Sequence, residues 1–178
     1  MSVTSAEDRK YTIVPYQESW KDDFVAIKNQ LSEIFGNSTI EILHVGSTAI
    51  KGMSGKPTID VLVIVDKIKS ADRATDAMSA IGYVGLGEYV TSGGRLFAKE
   101  IDGERIVNVH CFEAAHPHTQ EMIAIRDFFQ NNPDKAKEYA ELKIDLFQRY
   151  PNDYKSYRAF KDPYLTKIKE QIVSSATE

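Results

Sequence analysis

The sequence predicts an α+β fold, and three observations carry the prediction. The runs TIEILHV (39–45) and TIDVLVIV (58–65) have the alternation and the β-branched density of strands. The segment RLFAKEIDGERIVNVHCFE (95–113) sets Asp102-Gly103 between two alternating runs, the mark of a two-residue hairpin. From residue 117 onward apolar residues recur at helical spacing. There is no internal repeat, low-complexity tract or linker, so the strands of the first two thirds and the helices of the last third are expected to share one core in one domain, residues 1–178.

Residues 1–10 carry no pattern and read as a frayed leader, and YTIVPY (11–16) reads as a short edge strand because Pro15 lacks a ladder donor. Between 20 and 35, Phe24, Ile27, Leu31 and Ile34 define one face of a helix, which Gly36-Asn37 stops. The strand 39–45 ends at a Gly-Ser loop, and the strand 58–65 reads as central. Ser70 is placed to cap a helix ending near Ile81, with Gly82 allowing its left-handed exit. The hairpin register sets Glu100 opposite Arg105; it puts Asn108 and His110 on one face and Val107, Val109 and Cys111 on the other. Helices are expected over 117–130 and 133–150, with one or two more over 153–174. Asn132-Pro133 and Asp162-Pro163 each read as a cap followed by proline at the first helical position.

Composition narrows the function classes. At 178 residues, 42% hydrophobic and 27% charged, the chain can bury a core without disulfides or metal. A net charge of −4 argues against a general electrostatic grip on nucleic acid, although a local basic pocket is compatible with it. The single Cys111, placed in a strand, reads as a buried inert thiol in a reducing compartment. No apolar run is long enough for a signal core or a membrane span, which predicts a cytoplasmic protein with no membrane partner.

Candidate chemistry centres on HVGSTAIKGMSGKPTIDVLVIV, from His44 to Val65. Glycine lets backbone amides approach a ligand, so Gly46, Ser47 and Thr48 are placed to hold a phosphate with Lys56 as an added cation; an ordinary turn fits the same residues. Asp60 is a lone acid in an apolar strand and must find a cation, a metal or a proton. Period-two alternation puts Leu62, not a second acid, on its face. His44, Asp60 and His110 together would make a two-histidine, one-carboxylate metal set. His116 and His118 flank Pro117, where capping or exposure accounts for them. In the helical third, Lys143 falls within the stripe of Ala136, Tyr139, Ala140, Phe147 and Tyr150, and Lys161 is in phase with Tyr154, Tyr157 and Arg158. Both lysines either snorkel to solvent or meet an anion in a cleft.

HVGSTAIKGMSGKPTIDVLV, VNVHCF, IRDFFQNNPDKAKEYAELK and YKSYRAFKDPYL together resemble the GrpB proteins, whose fold is that of the polymerase-beta-like nucleotidyltransferases. The resemblance implies a mixed sheet with packed helices and a cleft above the Gly-Ser loop. In active members of that superfamily Gly-Ser holds the nucleotide triphosphate, two acids on the next strand hold magnesium, and a third acid stands on a later strand. Gly46, Ser47 and Asp60 match; Leu62 takes the second acid position, and Asn108 and His110 stand where the third is sought. The implied function is binding of a nucleotide or other phosphorylated small molecule with a divalent metal, magnesium, manganese or zinc. Gly46, Ser47 and Thr48 would contact phosphate, and Asp60 the metal with His44 or His110. Asn108 and His110 join Asp60 in the catalytic set, and Lys56, Arg95, Lys143 and Lys161 would meet the remaining negative charge. Two alternatives are a non-catalytic module that keeps the fold and a metal-dependent hydrolase built on His44, Asp60 and His110.

Overall fold

The computed structural model describes residues 3–4 and 9–175. A five-stranded sheet is formed by β1 (Thr39–Val45), β2 (Ile59–Val65), β3 (Val84–Gly85), β4 (Arg95–Ile101) and β5 (Glu104–Glu113), in the order β1-β2-β5-β4-β3. Only the β2–β5 pair is parallel, so the sheet is mixed. The hairpin forms as the sequence predicts: Asp102 and Gly103 both take positive φ, at 52° and 82°, and Glu100 pairs with Arg105.

Parity along β2 divides the molecule. Val61, Val63 and Val65 face α1 (Ser19–Phe35), α2 (Lys69–Arg73) and α3 (Thr75–Ala80), packing with Leu31, Phe35, Ala71, Met78, Val109 and Cys111. Leu62 and Ile64 face the other way, with Val45 and Phe112, under Met122 and Ile123 of α4 (Pro117–Asn131). α5 (Pro133–Arg149) and α6 (Tyr154–Ser175) complete that second layer through Phe129, Tyr139, Ala140 and Ile168. No helix among the described residues is long and apolar enough to cross a membrane.

Four local expectations are corrected. The segment 11–16 makes no strand; Val14 forms a single bridge to Gly55, and Pro15, with no N–H, ends it. Of the expected leader, residues 1, 2 and 5–8 lie outside the described residues, whereas the Thr4 amide and hydroxyl donate to Glu100 Oε2 at 2.9 and 3.0 Å and Lys10 bridges to Glu104. Ser70 caps nothing: its hydroxyl donates to Asp66 Oδ1 inside a helix that begins at Lys69, and a break at Ala74 separates α2 from α3. Pro163 starts no helix and lies within α6. An interior proline costs about 3 kcal/mol, but Tyr157, Tyr164, Leu165 and Ile168 carry the apolar face across it into the core.

Candidate functional site

The end of β1, the start of β2 and the middle of β5 bring Gly46, Asp60, Asn108 and His110 to the floor of a cleft of about 540 Å³, roofed by α4 and α6. Direct cross-strand pairing makes this convergence: Asp60 lies beside Asn108, and Leu62 beside His110. Asp60 Oδ1 accepts from Asn108 Nδ2 at 2.8 Å and lies 3.6 Å from His110 Nε2. Asn108 Oδ1 in turn accepts from Arg105, which is held by Glu100 at 3.0 Å. Burial pushes the Asp60 carboxyl up, but the bond and charge of His110, the Asn108 amide and the charge of Lys56 outweigh it and leave the pKa below its ordinary value. Asp60 is therefore ionised at neutral pH.

Gly46 is required by this arrangement. Its φ is 73°, and a Cβ there would fall 2.5 Å from Asp60 Oδ2. Ser47 follows, and its hydroxyl accepts from Lys143 Nζ at 2.8 Å. Lys143 is 2% exposed and lies over the Tyr139 ring. Burial first, then the charges of Lys161 and Lys56, push its ammonium down to about 7. Lys143 thus braces the loop from behind and does not snorkel.

The cleft walls are cationic. Among the described residues, Arg9, Lys56, Arg105, Arg158, Lys161 and Lys169 line it against two carboxylates, Asp60 and Asp162. Arg105 and Lys169 are paired with Glu100 and Glu121, and Arg158 and Lys161 share Asp162. No carboxylate among the described residues pairs with Arg9 or Lys56; Lys56 donates to the Tyr154 hydroxyl at 2.7 Å, and Arg9 lies over the same ring. Burial pushes the Tyr154 phenol up, yet Lys56, Arg9 and Arg158 hold it below its ordinary value. A phenol buried at the cleft wall thereby registers a positive field.

Three expected site residues stand elsewhere. His44 pairs with Val61 and so faces the sheet side opposite Asp60, where it stacks on Phe24 and lies 2.9 Å from Thr48 Oγ1. Burial, joined by the charge of Arg126 and opposed by that of Asp60, pushes it down to about 4. The set of His44, Asp60 and His110 is therefore not assembled, and among the described residues no group of three or more His, Cys, Asp or Glu is placed to hold a metal ion. Thr48 is 1% exposed, its hydroxyl turned to His44 and the Thr58 carbonyl, so its side chain offers a ligand nothing. Arg95 pairs with Cys111 on the far face and is bound to Asp72 at 2.6 Å and Glu88 at 3.3 Å; Leu96 takes the site-facing position. Sequence reasoning missed Arg9, which stands in a stretch without pattern, and saw Arg105 only as a hairpin partner. His116 caps α4, its Nδ1 accepting from the His118 amide.

A larger groove of about 670 Å³ lies between residues 49–54 and α5. Of its exposed lysines, Lys21 is paired with Glu18 and Lys137 with Glu141, Lys51 being the third, and no histidine lines it, so no carboxylate–imidazole pair converges there.

The family model described as GrpB protein matches residues 10–171. The chain belongs to the GrpB family. It is 35% identical over 162 residues to the UPF0157 protein YqkA of Bacillus subtilis, covering 91% of this chain and 47% of that protein. It is 34% identical to the glutamate-rich protein GrpB of Alkalihalophilus pseudofirmus, covering 90% and 94%. It also matches a dephospho-CoA kinase of Mycobacterium tuberculosis, 27% identical over 85% of this chain and 43% of that protein. The chain thus spans about half the length of YqkA and less than half of the kinase, but nearly all of the Alkalihalophilus protein. Among solved structures, GrpB from Enterococcus faecalis superposes with a TM-score of 0.88 at 29% identity, over 94% of this chain and all of that one. Cid1 in complex with its short product ApU superposes at 0.50 with 11% identity, over 76% of this chain and 42% of that one. The fold is thus shared with Cid1 over most of this chain, a likeness of fold alone.

Proposed function

We propose that this GrpB chain binds a nucleotide or another phosphorylated small molecule in the cleft above Gly46 and Asp60, together with a divalent cation. The observation that carries the proposal is the excess of cations converging on the cleft, with Arg9 and Lys56 lacking carboxylate partners among the described residues. A phosphate chain supplies the missing negative charge. The match to a protein named for dephospho-CoA, itself a nucleotide-bearing pyrophosphate ester, supports a ligand of this type.

The donor set suits a hard cation held jointly with the ligand. Asp60 Oδ1 is engaged by Asn108 and His110, which leaves Oδ2 as the free carboxylate oxygen. Magnesium and manganese bind through one or two carboxylates completed by substrate phosphates and water, whereas zinc asks for more nitrogen or sulfur donors than His110 supplies. When bound, such a cation neutralises phosphate charge; Asp60 holds it, Asn108 and His110 orient Asp60, and Lys56 and Lys161 meet the outer phosphates.

The test is a thermal-shift panel of nucleotides and phosphorylated metabolites, each with magnesium, manganese or zinc, on wild type and Asp60→Asn. A concentration-dependent rise in Tm that requires both metal and phosphate, and that Asp60→Asn loses, supports the reading. No shift with any pairing overturns it. The second reading is a module that keeps the fold without transferring a nucleotidyl group. It is favoured by Leu62, fully buried where an active superfamily member would place its second acid. Ligand stabilisation with no turnover of nucleotide over days would select it.

A further inference from the structure

A buried ammonium needs an anion or a full set of acceptors, and among the described residues Lys143 has neither. Among the described residues it contacts the Ser47 hydroxyl at 2.8 Å and the face of Tyr139. Lys56 approaches it from the Gly-Ser loop and Lys161 from α6, both adding positive charge. Asp162, the nearby carboxylate, is engaged by Lys161 and Arg158. Gly55 closes the pocket over it, since a Cβ there would stand 3.4 Å from Nζ and 2.9 Å from Ser47 Cβ. Lys143 is therefore linked to the Gly-Ser loop through Ser47, which is half-buried and lines, with Gly46, a small cavity of about 80 Å³ that shares Gly46 and Leu165 with the cleft.

A hydroxyl has one hydrogen and two acceptor sites. When Lys143 is charged it must donate to Ser47 Oγ, which leaves the serine hydrogen free to donate outward to an anion. When Lys143 is neutral its lone pair can accept that hydrogen, and Ser47 then presents only lone pairs on its outer side. Resting on the phosphate-binding reading above, we infer that Lys143 is a positioning residue whose protonation state sets the hydrogen-bond polarity of Ser47 and thereby gates anion binding at the Gly-Ser loop. The preferred ligand is one whose phosphate approaches Gly46 and Ser47, and its binding takes up a proton whenever Lys143 starts neutral. The depressed pKa of Lys143 puts that switch near neutral pH.

The experiment measures the affinity of magnesium-ATP between about pH 7.5 and 9, where phosphate has completed its own titration. Wild type should lose affinity with rising pH, by up to about tenfold per unit for one linked proton. Lys143→Met and Ser47→Ala should both bind more weakly and without that slope. A flat wild-type profile overturns the inference, as does a slope that survives Ser47→Ala, because Lys143 would then act by its charge alone. If magnesium-ATP binds at no pH, the nucleotide reading fails for this probe, and amide NMR of the free protein decides the inference separately. Gly46 and Ser47 should titrate near pH 7 in wild type and not in Lys143→Met; His44 beside them titrates well below that window. Gly46 and Ser47 amides that do not move near pH 7 overturn it.

Discussion

Gly46→Ala tests the floor of the site directly. Gly46 has φ 73° and ψ −172°, a conformation nearly restricted to glycine, and placing alanine there costs about 1–3 kcal/mol. The added Cβ would also fall 2.5 Å from Asp60 Oδ2 and 3.1 Å from Asp60 Cβ. Backbone fixes the latter, so the carboxylate must rotate and surrender its 2.8 Å bond from Asn108. A hydrogen bond to a charged group is worth about 1.5–3 kcal/mol, which brings the total to about 2.5–6 kcal/mol. Gly52 is the control: its φ is 80°, but nothing lies within 4 Å of a Cβ there, so Gly52→Ala should cost only about 1–2 kcal/mol. Urea unfolding of both variants, with Gly46→Ala repeated in an Asp60→Ala background, separates strain from contact. The cost of Gly46→Ala should drop by about 1.5–3 kcal/mol when Asp60 is absent. An equal cost in both backgrounds would show that Gly46 serves only its own backbone and that the Gly46–Asp60 contact is not part of the site's design.

Three further outcomes follow from the same geometry. Lys143 has a folded pKa of about 7 against an ordinary 10.5, so the unfolded chain binds more protons in that window and stability rises with pH, by up to about 1.4 kcal/mol per unit; chemical denaturation at pH 7 and 9 should show this gain in wild type and not in Lys143→Met. Arg105 and Glu100 form an ion pair whose side chains are 4% and 11% exposed, so Glu100→Gln strands a buried guanidinium and should cost about 3–5 kcal/mol, with a large part recovered in Glu100→Gln/Arg105→Met. Leu62→Asp puts an unpaired carboxylate where exposure is 0%, among Val45, Ile64 and Phe112; it should lose about 4 kcal/mol or more in denaturant unfolding and gain no manganese affinity by calorimetry.

The strands and the hairpin turn were legible because each signal was local. Asp102-Gly103 fixed the hairpin, and period-two alternation placed Asn108 and His110 together on one face. The same rule, applied between strands, would have separated His44 from Asp60 had the register been known: Val45, not His44, pairs with Asp60. That register is a long-range fact, set by β1 and β2 meeting across a loop of more than ten residues, and no local pattern encodes it. Arg95 failed for a different reason. The regular hairpin register that sets Glu100 opposite Arg105 would put Arg95 opposite His110; a bulge between Lys99 and Glu100 shifts the pairing by one residue, so Leu96 takes that position and Arg95 turns to the far face. Arg9 and Tyr154 were illegible as site residues because their contact joins the start of the chain to α6, and only tertiary packing makes them neighbours.

The replacement at position 62 reaches beyond one residue. Leu62 stands in a packed cluster with Val45, Ile64 and Phe112, and Met122 and Ile123 of α4 lie on it. The volume that a second metal and its water would need is thus filled by a helix seated on the sheet, and no single substitution reopens it. Asp60 escapes that cover because it lies one pair nearer the Gly-Ser loop, beyond the apolar cluster, where α4 gives way to the cationic wall of α6. Leu62 is therefore part of the apolar seat on which α4 rests. The result is a floor with one carboxylate, an amide and an imidazole beneath an excess of cations. Under the function proposed above, such a floor would hold a phosphate chain through one shared cation rather than clamp both oxygens of an in-line displacement.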